Sequence, residues 1–93
     1  MKHASAAALD RLEPLLAKLR RNAALREKSR GVFYLKSRAI LHFHEDPAGL
    51  FADLRTSGDW RRFVVNTAAE RSALLQTLAG YLHRANTGQA RPR

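Results

Sequence analysis

Apolar positions in the first third of the chain recur at the helical period. Leu9, Leu12, Leu15, Leu16, Leu19 and Ala23 share one stripe, and Arg11, Lys18, Arg21 and Lys28 lie well away from it. The spacing predicts an amphipathic helix whose stripe packs on a sheet. Asp10 with Glu13 loosely fits a capping box, and Pro14 is tolerated only in a first turn. The regular helix is therefore expected to begin within 10–14, with room for an Ala-rich turn before it. Gly31 ends the pattern and leaves residues 25–30 as a frayed last turn or a charged loop.

From Val32 the period changes. The runs 32–36, 39–45, 50–55 and 60–65 are rich in aromatic and β-branched residues and are separated by turn formers: Ser37-Arg38, Asp46-Pro47-Ala48-Gly49 and Thr56-Ser57-Gly58-Asp59. They predict four short strands, antiparallel because their connections are short. Thr67-Ala68-Ala69-Glu70 is a better capping box, and Leu74, Leu75, Leu78, Tyr81 and Leu82 continue a helical stripe to about Ala85. The order α-β-β-β-β-α predicts an α+β fold. It is a two-layer sandwich, with an antiparallel four-stranded meander carrying the N- and C-terminal helices on one face. One domain over 1–86 is expected, with a flexible basic tail over 87–93.

Alternation along the strands then assigns faces. Phe33, Leu35, Leu41, Phe43, Leu50, Ala52 and Leu54 should meet the helices, and Tyr34, Ile40, His42, His44, Phe51, Asp53 and Arg55 fall on the other side. That second face mixes aromatic, imidazole and charged groups, which makes it the candidate functional face.

Composition narrows the chemistry. A chain of 93 residues with 45% hydrophobic and 27% charged residues is an ordinary globular domain with a small core. Cysteine is absent, which excludes disulfides, thiolate nucleophiles and thiolate metal sites. Asp10, Arg11 and Glu13 interrupt the initial apolar run, so no signal peptide is read and a cytoplasmic location without membrane attachment is expected. Cofactors are expected to be none. The frequent arginine and alanine are compatible with a bacterial source.

His42-Phe43-His44-Glu45-Asp46 is the only compact cluster with ligating or acid-base potential. His42 and His44 point the same way from a strand, and Asp46 or a cross-strand Asp53 could add oxygen. The string His42-x-His44-x-Asp46 resembles the first half of the metallo-β-lactamase metal motif. Pro47 stands where the next histidine belongs, and the chain is far too short for that family's four-layer fold, so the match is a coincidence of spacing. Without a third well-placed histidine, two half-buried strand histidines joined by hydrogen bonds are the expectation, and no metal. For catalysis, Tyr34, His42, His44 and Asp53 are the candidate acid-base groups, but no nucleophile signature accompanies them. An enzyme is not the favoured class.

The formal charge of +9 is unevenly placed: residues 1–17 are balanced, 18–30 carry +5, 31–59 carry −1 and 60–93 carry +5. Such a field attracts nucleic acid or another anionic partner. Lys18, Arg20, Arg21, Arg26, Lys28, Arg30, Arg55, Arg61 and Arg62 are the candidate contacts, with Tyr34, Phe51 and Trp60 available to stack on unpaired bases. A partly apolar open face also favours a homodimer.

The block FYLKSRAILHFHEDPAGLFADLR, followed by a basic strand and a Thr-capped helix, resembles an uncharacterised family of small bacterial hypothetical proteins with a near-identical strand-turn-strand signature. The resemblance spans about residues 9–83. It implies an independent bacterial domain and transfers no catalytic residue. The leading expectation is a non-enzymatic binding module for an anionic partner, nucleic acid first. A His42/His44 metal protein or enzyme and a homodimeric ligand-binding protein are the alternatives.

Overall fold

The computed structural model describes residues 1–90, with side chains placed as far as Ala85. In chain order the elements are β1 (Lys2–His3), α1 (Ala6–Arg20), β2 (Leu25–Ser29), β3 (Val32–Leu35), β4 (Arg38–Asp46), β5 (Gly49–Arg55), β6 (Trp60–Val64) and α2 (Ala68–Ala90). The fold is the α+β sandwich expected, but the sheet is larger than a four-stranded meander. Strands β2-β3-β4-β5-β6 lie side by side in sequence order, all antiparallel, and β1 adds to β4. One edge of the long β4 is shared: β3 pairs with its first half and β1 with Glu45 and His44 near its end.

Two-residue connections set the register. Leu35 pairs with Arg38 around Lys36, which takes a left-handed φ of 58°. Asp46 pairs with Gly49, and its Oδ1 accepts a hydrogen bond from the Ala48 N–H at 2.8 Å. Gly31 takes a φ of 81°, which favours glycine, and a Cβ there would fall 2.7 Å from Leu9 Cδ2 and push that side chain aside.

Residues 25–30 are not a loop. Residues 25–29 form edge strand β2, with Leu25 opposite Leu35 and Glu27 opposite Phe33. Leu25 packs on the core, and Glu27 accepts from Arg20 (2.6 Å) and from the Gly31 N–H (2.9 Å), which turns a charge-rich segment toward α1. Helix α1 also starts earlier than the proline implied. Ser5 caps it by accepting from the Ala8 N–H (3.2 Å), and three alanines, the best helix formers, carry it forward. Asp10 and Glu13 do not cap; they bind Arg30 at 2.9 and 2.8 Å, and Glu13 also binds Arg20. Pro14 therefore sits inside the helix with its ring exposed.

The second capping box forms as read. The Glu70 N–H donates to Thr67 Oγ1 (3.1 Å), and Glu70 Oε1 accepts from the Thr67 N–H (2.9 Å). Helix α2 continues to Ala90, past the expected end near Ala85. Of the tail read over 87–93, residues 91–93 lie outside the described residues.

The core joins Leu9, Leu12, Leu15, Leu16 and Leu19 of α1 to Phe33, Leu41, Phe43, Leu50, Ala52 and Leu54 of the sheet and to Leu74 and Leu78 of α2. Each such leucine contributes about 1.5–3 kcal/mol relative to its exposed state. Ala23, read as part of the stripe, lies beyond the end of α1 and is exposed. The face assignment holds with one correction. A bulge in β4 places Leu41 opposite Phe33 but Ala39 opposite Tyr34, so Ile40 is the extra residue and enters the core instead of the open face.

Candidate functional site

Both helices lie on one side of the sheet, where a groove between them is lined by Lys18, Leu19, Leu25, Leu75, Leu78 and Leu82. The opposite face is left to the side chains of the strands. Pairing lines them up in rows across the sheet: His3, His44, Phe51 and Val64 form one, and His42, Asp53 and Arg62 the next. Arg55 and Trp60 form a third. The sequence placed His42, His44, Phe51, Asp53 and Arg55 here. It missed His3, because a two-residue strand has no readable period and its partner lies on the far side of α1, β2 and β3.

The cluster is tight. His44 Nε2 lies 2.8 Å from His42 Nδ1, so one of these nitrogens donates to the other, and 3.3 Å from Asp53 Oδ2. The His3 ring stacks on His44 with centroids 4.8 Å apart, and Trp60 lies against His42 at 4.6 Å. Beyond it the Arg55 guanidinium covers the indole at 4.8 Å. Asp53 is buried, at 8% exposure, and a buried carboxylate is costly unless paired. Arg62 supplies the pair bidentately, Nε to Oδ1 and Nη2 to Oδ2, both at 2.8 Å.

These contacts shape the charge states. The hydrogen bonds from Arg62 hold the Asp53 carboxyl below its ordinary range, against the opposing effect of burial. Arg62 is raised in turn. Burial holds the His42 imidazole below its usual value, and His44 beside it adds to the shift while Asp53 opposes it. His44 Nδ1 and Arg55 Nε are buried without a hydrogen-bond partner among the described residues. The cluster contains imidazoles, a carboxylate and guanidinium groups but no hydroxyl or thiol, so its own chemistry is proton exchange or ligation.

The other candidate residues are distributed more widely. Tyr34 lies on the same face but pairs with Ala39, apart from the imidazoles, and Lys28 Nζ sits 4.7 Å over its ring. Arg26 lies opposite Tyr34 on β2. Asp46 is occupied in the β4–β5 turn and stands outside the histidine group. Arg61 stacks over Phe63, which packs against the core, so Arg61 belongs to the helix side while its neighbour Arg62 belongs to the open face. Lys18 and Arg21 are exposed on or just after α1. Arg20 and Arg30 are bound to carboxylates, Arg20 to Glu13 and Glu27 and Arg30 to Asp10 and Glu13.

Fold and site together define a two-layer α+β domain with a histidine-centred polar cluster on an uncovered sheet face. Comparison with known proteins returns no matching family, no curated relative and no solved structure. Among the described residues no helix is long and apolar enough to cross a membrane.

Proposed function

We propose that the open sheet face binds an anionic partner, with single-stranded nucleic acid the leading case. The observation that carries this reading is the pairing of cations with aromatic rings on that face, Lys28 on Tyr34 and Arg55 on Trp60, in a chain of net charge +9. Phosphates are attracted by the cations, and each base stacked on an aromatic ring contributes about 1–3 kcal/mol. Half of the eight acidic residues are tied to arginine. Asp10, Glu13, Glu27 and Asp53 are in ion pairs, and the charge of Glu45, Asp46, Asp59 and Glu70 is already counted in the net +9. The open face is favoured over the α1 patch because Arg20 and Arg30 are already engaged.

The test is fluorescence anisotropy with labelled single- and double-stranded DNA and RNA, from low to near-physiological salt. Binding should prefer single strands and weaken steeply with salt. Trp60→Ala should reduce affinity by about tenfold, and Arg26→Glu with Lys28→Glu should flatten the salt dependence. No binding at low salt, or binding indifferent to all three substitutions, would remove the proposal. Trp60 and Val64, exposed at 42% and 43%, favour a second reading in which two open faces meet in a homodimer. Sedimentation velocity across a concentration series separates the two.

A further inference from the structure

Three of the four histidines of this chain converge on one point of the open face, although they come from opposite ends of its first half. His42 and His44 share a side of β4 because strand side chains alternate, and the β1–β4 register sets His3 directly opposite His44. One ring nitrogen from each lies within 4.8 Å of the other two. We propose that His3, His42 and His44 bind a single divalent transition-metal ion of the zinc type through their ring nitrogens. This site is independent of nucleic-acid binding and stands or falls separately.

The geometry needs little change to close on an ion. Nitrogens on a tetrahedral zinc with bonds of about 2.0–2.1 Å sit about 3.3 Å from each other. The His42–His44 pair, at 2.8 Å, has to open slightly, and the widest pair has to close by about 1.5 Å, which ring rotation supplies. His3 has the room to provide it, being exposed on a two-residue strand. Two imidazole nitrogens at 2.8 Å cannot face each other with bare lone pairs. Either one carries a proton between them or a cation sits against both. If His44 ligates through Nε2, the ring keeps its proton on Nδ1 and stays neutral, so no net charge is buried in the ring.

The surroundings suit a cation. Asp53 Oδ2 lies 3.3 Å from His44 Nε2 and supplies negative charge beside the site, and the positive charge of Arg62 is engaged by the same carboxylate. Asp53 stands beside the ligating nitrogen itself and so lends the ion negative charge, while His44 Nδ1, the nitrogen an outer-shell acceptor would hold, has no partner among the described residues. Three neutral imidazoles favour zinc, cobalt, nickel or copper over magnesium or calcium, which prefer oxygen donors. With three protein ligands, a coordination position is left to water or to Asp53. Occupancy would also fasten β1 to β4 through His3, in addition to the short backbone ladder that holds it.

The test begins with chelator-stripped protein titrated with Zn2+ by calorimetry and with Co2+ by visible absorption. The expected result is one ion per chain, intense Co2+ bands of tetrahedral type, and no response to Mg2+. His3→Ala should weaken Zn2+ binding at least about 100-fold, since even outer-shell changes in metal sites cost about 10–100-fold, and His83→Ala should leave it unchanged. His3 is exposed and outside the core, so circular dichroism should show His3→Ala to be folded. Failure of the parent protein to take up either ion, or uptake that survives His3→Ala, would overturn the proposal.

Discussion

His42 links the cluster to the stability of the whole fold through its proton. Burial lowers its folded-state value below the ordinary 6.5, so in mild acid the unfolded chain takes up a proton that the folded chain resists. The stabilisation associated with this group is complete above about pH 6.5 and is lost as pH falls through the lowered folded-state value. Urea midpoints of metal-free protein should therefore decline between about pH 7 and pH 5, and His42→Gln should flatten that decline. Parallel declines in both proteins would show that the imbalance lies elsewhere. Single residues also mark where sequence reading stopped short. His42, His44 and Asp53 were legible as one face because strand alternation is local. Ile40 was misplaced because a bulge depends on the partner strand, and His3 went unseen because its position depends on a pairing across most of the first half of the chain.

Among the elements, α1 carries an evident conflict. Pro14 has no N–H to bond the carbonyl of Asp10 and its ring crowds that carbonyl, yet the helix runs through it from Ser5 to Arg20, held by the burial of leucines on both sides. Pro14→Ala should raise the unfolding free energy, by up to about 3 kcal/mol, as measured by urea denaturation. An unchanged or lower stability would mean that the core is fitted to a bend imposed by the proline. The same conflict explains why the start of α1 could not be read correctly: propensity argued for a beginning at the proline, and tertiary burial of Ala8 and Leu9 overrode it. Strands β3 to β6 were legible to within about a residue, since each carries its own apolar alternation and turn formers. Strand β2, LREKS, has a single apolar residue and reads as a strand only beside β3. The Thr67–Glu70 cap was legible because both partners lie within one turn.

At the scale of the whole molecule, the two faces divide the work. Leucine and phenylalanine fill one side of the sheet, and histidine, tryptophan and arginine occupy the other, while the charge excess read from sequence splits between them instead of forming one continuous patch. The order in which this assembly forms follows from the shared edge of β4. Strands β2 to β6 each pair with a neighbour in the chain, so their ladders close over short loops, whereas β1 reaches β4 only across the whole of α1, β2 and β3. Closing the longer loop costs entropy, and the ladder that repays it is short: two residue pairs and the bond from the Ala4 N–H to the Phe43 carbonyl. Deleting residues 1–3 should therefore leave the folding rate constant within about twofold of the parent and act mainly by speeding unfolding, as read in stopped-flow refolding and unfolding experiments. Slower folding in proportion to the lost stability would place β1 in the folding nucleus instead. The strand that comes first in the order of elements is thus expected to join the sheet last, and the three imidazoles first meet only after the barrier to folding has been crossed.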